Sequence, residues 1–442
     1  MPARSQPQSL LGRMLANTAW LLGGKGFGAV CSLIYLAILA RSLGLKDFGH
    51  FSLIFGAAQA LIALAGFQTW RVVVRYGAEH VHKGNWAAFG RLSMLSGLLD
   101  LLGAFFGVAI AAVIYFQFSD ALGINERYVD AAFWFTVASL FSLVSTPTGI
   151  VRALDRFDLA VYVEALVPGL RLIAAIAIWL TDTSVIRFLI AWAVIDLIEA
   201  AAYWLLARRL CPEAVSLRHM KDWHRAGQDN PGLGRFFFIT YLSSSLDAAV
   251  KQGPLLAVGY LVGTRAAGLY RLANQLSQGL GKISALLTRS AYAEINRARV
   301  SAEFADFRRL VRQTTMIAGV AGGAVVVLAV LLGRHLLDFI GGEDFDAAYV
   351  VLIPLTFAAS MELASVAFEP VLHSMGRARS ALVGRLLGVL ALAATIAWFA
   401  GQETALTVGL AVAVGSFVTF VALGAMAFLA LSAAQREARA AG

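Results

Sequence analysis

Apolar runs of about twenty residues, separated by short polar turns, recur along the whole of this 442-residue chain. An α-helix needs roughly 20 apolar residues to cross the hydrocarbon core, and only a helix or a closed barrel satisfies its backbone groups there. The runs predict spans at 16–40, 50–70, 92–116, 131–151, 159–180, 186–207, 236–262, 266–288, 313–333, 347–372, 380–400 and 405–431. Composition agrees: charged residues make up 14% and mean hydropathy is +0.73, against about 25% charged in a soluble domain. Lipid must cover most of such a surface. Arg4 and Arg13 precede the first run, which is too long for a signal-peptide core and is expected to be retained as a span. The expected fold class is therefore all-α and polytopic, with about 12 transmembrane helices.

The net charge of +9 would suit nucleic acid in a soluble protein. In a membrane protein it has a simpler source, because cytoplasmic loops collect Lys and Arg. Loops on the side of the N-terminus hold 24 cations, six of them between Arg208 and Arg235 and six between Arg289 and Arg312. The opposite loops hold only Arg41, Lys46, Arg127, Arg187, Arg265 and Arg334. Both termini are thus expected in the cytoplasm, and nucleic acid is not an expected partner. Cys31 lies in an apolar run and Cys211 in a basic loop, so no disulfide is implied.

The chain resembles itself at about half its length. Leu43-Gly44-Leu45-Lys46-Asp47-Phe48-Gly49 matches Val262-Gly263-Thr264-Arg265-Ala266-Ala267-Gly268 at an offset of 219. Phe89-Gly90-Arg91-Leu92 matches Phe307-Arg308-Arg309-Leu310 at 218, and Asp130-Ala131-Ala132-Phe133 matches Asp346-Ala347-Ala348-Tyr349 at 216. Two six-helix lobes are expected, residues 1–211 and 236–442, joined by a polar cytoplasmic linker at 212–235. An even number of spans per half inserts both in one orientation, so the pseudo-twofold axis runs along the membrane normal. Such an architecture puts a substrate site between the halves.

Six cations fall within the predicted spans: Lys25, Arg171, Lys251, Arg271, Lys282 and Arg385. A central Lys or Arg costs roughly 2.5 to 3.5 kcal/mol on insertion scales, so each needs water, a carboxylate or an anionic ligand. Arg171 and Arg385 have Glu164, Asp196, Glu199, Glu362 and Glu369 as possible partners. Lys251 follows Asp247 by four residues and either pairs with it or faces a ligand. Arg271 either snorkels to the interface or faces a ligand. Lys25, within Gly23-Gly24-Lys25-Gly26-Phe27-Gly28, is the leading ligand candidate. With Lys282 it gives a cavity of surplus positive charge, suited to a diphosphate. Gln59, Gln278 and Ser243-Ser244-Ser245 offer hydrogen bonds to sugar hydroxyls or to neighbouring helices. Arg71–Arg91 and Tyr292–Arg312 are amphipathic and are expected to lie at the membrane interface.

There is no phosphate-cradling loop of the Gly-x-x-x-x-Gly-Lys type, no metal-ligand spacing and no nucleophile elbow. Neither a cofactor nor a metal is expected, and an enzyme is disfavoured.

Asn17-x-x-Trp20, Gly24-Lys25, Leu39-Ala40-Arg41-Ser42-Leu43-Gly44 and Ala267-Gly268-Leu269-Tyr270-Arg271-Leu272-Ala273-Asn274-Gln275-Leu276 together resemble the polysaccharide exporters, the O-antigen and capsule flippases. These belong to the multidrug/oligosaccharidyl-lipid/polysaccharide exporter superfamily. The resemblance implies a cavity lined by spans 1, 2, 7 and 8. The implied cargo is an undecaprenyl-diphosphate-linked oligosaccharide flipped to the outer leaflet of a bacterial inner membrane. Lys25, Lys251 and Arg271 would then contact the head group, with glycosyltransferases and a polymerase as functional partners. The chain departs from the family pattern at Lys251-Gln252-Gly253-Pro254, where members often carry an acid, and at Ser290-Ala291-Tyr292, where they often carry proline. The alternatives are a cation-coupled exporter of the same superfamily, using Asp100, Asp196 or Asp247, and a noncatalytic scaffold of a glycan-synthesis complex. A membrane-embedded glycosyltransferase is disfavoured by the lack of a large outer loop.

Overall fold

A computed structural model describes the backbone of residues 10–120, 123–298, 304–374, 377–402 and 404–441. Side chains are described over the same residues except 10–25, 282–310, 314, 370, 373–374, 378 and 434–441. The chain is all-α. Its helices are α1 (Leu10–Ala65), α2 (Thr69–His82), α3 (Trp86–Gln117), α4 (Val129–Phe141), α5 (Ser145–Ala153), α6 (Phe157–Leu180), α7 (Val185–Leu210), α8 (Ala226–Asp229), α9 (Leu233–Leu261), α10 (Thr264–Ala298), α11 (Phe304–Gly341), α12 (Ala348–Ser365), α13 (Phe368–Ser374), α14 (Ala378–Trp398) and α15 (Ala405–Ala441).

The predicted spans fall on helices, with refinements: the span at 50–70 runs past the end of α1 through a break at 66–68 into α2, and the span at 347–372 is α12 and α13 with a turn at 366–367 between them. Spans 1 and 2 are one continuous run, α1, kinked at Gly44, whose φ of 69° only glycine adopts freely. The predicted span at 131–151 is two helices, broken at Ser142–Val144. There the Ser142 hydroxyl donates back to the Ala138 carbonyl at 2.9 Å, and Pro147 sits where a first helical turn tolerates it. Eight stretches of the described residues are long and apolar enough to cross a membrane by themselves. Helices α7, α9 and α10 are not among them. They carry Asp196 and Glu199, Asp247 and Lys251, and Arg271, so polarity is concentrated where three long helices accept its cost.

Contacts divide the chain into two compact units, Met1–Leu43 with Ile54–Gln252, and Gly44–Leu53 with Gly253–Gly442. In the first, α2 lies across α5. A Cβ on Gly149 would stand 2.9 Å from the Trp70 Cα, and one on Gly77 would stand 2.6 Å from the Phe89 ring. Phe89, Ile150, Val151, Tyr203 and Ala207 close the core beside this crossing. The apolar face of α2 (Val72, Val73, Gly77) is thus covered by protein, whereas its amphipathic pattern had suggested a lipid-facing element. Lipid has no hydrophobic preference between helices, so close contact of small residues supplies the association. The outer surface carries Leu102, Phe105, Phe106, Trp179 and Leu180, all well exposed, as a lipid-covered protein requires.

In the second unit, Gly384 and Gly388 of α14 meet Leu423, Thr419 and Gly415 of α15 closely enough that no Cβ fits. Ser360 of α12 donates to the Gly322 carbonyl of α11 at 2.9 Å. The repeat is visible in the backbone. Gly44 and Gly263, partners at offset 219, both have positive φ, 69° and 108°. The elements following them cross reciprocally: a Cβ on Gly49 would stand 2.1 Å from the Thr264 carbonyl oxygen, and one on Gly268 would stand 2.9 Å from the Leu45 carbonyl oxygen. Leu45 and Thr264 are themselves repeat partners, so the contact is self-complementary, like an isologous interface. A 3₁₀ turn precedes both α4 (Glu126–Tyr128) and α12 (Glu343–Phe345).

Candidate functional site

The first unit holds a partly open cavity of about 420 Å³, whose largely apolar lining is interrupted by a few charged and hydroxyl side chains. It opens where the chain leaves α1, turns through Gln68 into α2, and meets the break between α4 and α5. Gln68 holds φ at 51°, a left-handed conformation uncommon for a non-glycine residue. Its side-chain oxygen accepts from the Trp70 indole at 3.0 Å. Asp100 of α3 ties the two irregular points together. It accepts from the Thr69 hydroxyl at 2.8 Å, the Thr146 hydroxyl at 2.6 Å and the Thr146 N–H at 3.0 Å. Helix-breaking geometry at membrane depth is tolerated where the freed backbone groups find such partners.

The far wall is ionic. Arg152 donates to Glu164 at 2.7 Å, and its guanidinium lies 4.9 Å from the centre of the Trp70 ring. Tyr203 donates to the Ala160 carbonyl at 3.2 Å. Beyond it, Arg171 donates to Asp196 at 2.7 Å and sits between the Phe55 and Trp192 rings, 5.6 Å from each. Ser139 gives Asp196 a second donor at 3.3 Å. Glu199 lies one turn along α7 from Asp196 and lines the cavity with Asp100, Glu164 and Arg152. Three carboxyl groups and one guanidinium thus line one cavity, the guanidinium already paired with Glu164. Such a lining suits a cation or a proton better than a phosphate.

Among the sequence-predicted residues, Lys25 and Lys282 lie outside the described side chains. Gln59 is half-buried on α1, and on α9 a half-buried Asp247 precedes an exposed Lys251 by one turn. In the second unit Arg271 is half-buried on α10. Gln278 is exposed and donates to Asn274 on its own helix at 3.4 Å. Arg385 is ion-paired with Glu369, Nη2 to Oε2 at 2.8 Å. Two of the in-span arginines, Arg171 and Arg385, have therefore taken carboxylate partners from the set the sequence offered. The threonines that hold Asp100 carried no signal in the sequence. No group of three or more His, Cys, Asp or Glu able to hold a metal ion occurs among the described residues.

Residues 14–292 match the model of a family of polysaccharide biosynthesis proteins. The chain belongs to that family. A relative of known sequence is the inner membrane protein YghQ of Escherichia coli K12, 27% identical over 339 residues, which are 76% of this chain and 94% of YghQ. Solved structures show the fold. An inward-facing multidrug resistance transporter of the MATE family, in the MOP superfamily, aligns over 92% of this chain and 96% of its own at 16% identity, with a TM-score of 0.67. The lipid II flippase MurJ, in an inward closed conformation, aligns over 91% of this chain and 86% of its own at 12% identity, with a TM-score of 0.68. The polysaccharide biosynthesis chain described here is thus a multi-pass membrane protein with the fold of the MOP transporters.

Proposed function

We propose that the protein flips an undecaprenyl-diphosphate-linked oligosaccharide from the cytoplasmic to the outer leaflet of a bacterial inner membrane. The product would feed exopolysaccharide, capsule or O-antigen synthesis. The observation that carries this reading is the polysaccharide biosynthesis match over 14–292, and the likeness in fold to a lipid II flippase supports it. In this reading both termini are cytoplasmic. Lys25, Lys251, Arg271 and Lys282 hold the diphosphate, Gln59 and Gln278 meet sugar hydroxyls, and Asp247 restrains Lys251. The polyprenyl tail stays in lipid while alternating access carries the head group across. Moving negative charge outward down an inside-negative potential gains roughly 2.3 kcal/mol per charge per 100 mV, so no ATP motor is needed. Glycosyltransferases and a polymerase would act before and after it. The experiment is to delete the gene and follow lipid-linked oligosaccharide in the inner leaflet. Accumulation that wild type relieves and a normally inserted Lys25→Ala variant does not is the expected result. Normal crossing in the deletion strain, with no second flippase present, overturns the proposal.

One observation favours a second reading. The acid-lined cavity of the first unit, together with the fold of a multidrug transporter, is what a cation-coupled exporter would need. Cation-driven efflux of a lipophilic dye from proteoliposomes, lost in a folded Glu199→Gln variant, would select that reading over the flippase.

A further inference from the structure

Residues 212–225 form three short 3₁₀ turns, Pro212–Val215, Leu217–Met220 and Trp223–Arg225, directly after the last turn of α7. Their inner side is fastened to the protein. The Arg91 side chain donates to Asp229 at 2.7 Å, the His80 ring is 2.9 Å from the Asn230 side-chain oxygen, and Ala214 and Ala226 are buried. The His219 ring lies so close to Gly90 that a Cβ there would stand 2.4 Å from it. The segment is therefore held in place, and what its outer side presents is a built surface.

That outer side is apolar and basic at once. Leu217, Met220 and Trp223 are 74%, 51% and 42% exposed. They follow one another at intervals of three: Leu217 and Met220 share one 3₁₀ turn, in which that spacing eclipses side chains, and Trp223 opens the next. Arg218, Lys221 and Arg225 alternate with them, and all three are exposed, as are Arg208 and Arg209 in the last turn of α7. Against these five cations the stretch from Arg208 to Arg225 offers two carboxylates, Glu213 and Asp222, the latter in an exposed 3.7 Å ion pair with Arg225 that leaves the rest of its guanidinium open. The segment also joins α7 and, through α8, α9, two helices on which predicted spans fall, and a short connection between spans belongs near headgroup level. Tryptophan and long cationic side chains are the residues that settle there.

We infer that residues 217–225 form a membrane-surface site for anionic phospholipid, with Leu217, Met220 and Trp223 entering the acyl boundary and Arg218, Lys221 and Arg225 holding headgroup phosphates. The site is independent of the cargo proposed above. It differs in kind from α2, whose apolar face the protein itself covers.

The test uses the full chain in nanodiscs, with the fluorophore NBD on Met220→Cys in a Cys31→Ala, Cys211→Ala background. The discs contain phosphatidylcholine alone or with phosphatidylglycerol, and a lipid carrying a shallow doxyl quencher. Each exposed cation adds roughly fivefold to partitioning onto an anionic surface. Quenching at least about twofold greater with phosphatidylglycerol is therefore expected, together with a blue shift of emission. Replacing Arg218, Lys221 and Arg225 by Gln should abolish the difference while leaving the anchoring contacts of Arg91, Asp229 and Asn230 in place. Emission that stays red-shifted and unquenched in both lipids overturns the inference, as does equal quenching by the Gln variant. Shielding of the probe in native membranes but not in anionic nanodiscs assigns the surface to a protein partner and also overturns it.

Discussion

The Arg171–Asp196 pair offers a quantitative test of how the first unit pays for charge in its interior. The two side chains are 13% and 12% exposed, so solvent screens them little. Removing one member of such a pair leaves the other buried without its counter-charge, at a cost of about 3–5 kcal/mol. Replacing both by apolar groups of fitting size is often neutral or favourable. Two details sharpen the expectation. The Arg171 Nε is buried without a hydrogen-bond partner, so the desolvation of the guanidinium is not fully repaid. Its position between the Phe55 and Trp192 rings is one that a methionine sulfur also accepts. Arg171→Met and Asp196→Ala should each destabilise, and the double variant should return close to wild type. A kilocalorie moves Tm by about 2–4 °C in a domain of 150–250 residues and by less in a longer chain. Each single variant should therefore fall by about 3–8 °C in detergent at one fixed scan rate, and the double by under about 2 °C. If the double variant falls by the sum of the singles, the two residues do not act as a pair and the reasoning is refuted. If it is stable but inactive in transport, the pair serves the transport cycle.

Asp100→Ala should leave the Thr146 N–H without its acceptor and reduce the Thr69 and Thr146 hydroxyls to their bonds with each other and with Ser145, lowering stability by about 1–3 kcal/mol, while Asp100→Asn should cost less; thermal melts of the two variants in one detergent check the order. Gly49→Ala drives a methyl into the Thr264 backbone and should lower the yield of folded protein on size-exclusion chromatography more than Gly268→Ala, whose clearance from Leu45 is larger. Burial pushes the Cys211 thiol above its ordinary range, so little thiolate forms near neutral pH. Maleimide should label Cys211 only after denaturation or at clearly alkaline pH, and mass spectrometry of the labelled protein would show rapid labelling at neutral pH if this is wrong.

Much of the fold was legible because a membrane span announces itself through the length and apolarity of one segment. The twelve runs needed no knowledge of their neighbours. The break at Ser142–Val144 was hidden for the same reason, since Phe141, Leu143 and Val144 keep that run apolar across it and only Pro147 hints at irregularity. At α2 the amphipathic pattern establishes that Val72 and Val73 need cover, but not whether lipid or α5 supplies it. The in-span arginines were legible as a problem needing carboxylates. The choice of Asp196 for Arg171 was not, because it depends on how α6 and α7 sit side by side. Thr69 and Thr146 are ordinary in sequence, and only the meeting of three helices at Asp100 gives them a part.

The reciprocal crossing of Gly49 with Thr264 and Gly268 with Leu45 has a consequence for biosynthesis. Leu45 leaves the ribosome 223 residues before Gly268, and Gly49 leaves it 215 residues before Thr264. At roughly 5–20 residues per second that is an interval of about 10–40 s. For that time the glycine face of Gly44–Leu53 has only lipid or the translocon against it. The first half can insert, but ten of its residues belong to a compact unit whose remainder has not been made. Completion of the protein is in this sense delayed until Thr264–Gly268 arrives, and a chain stopped before that point leaves a groove open for chaperones and membrane proteases to recognise.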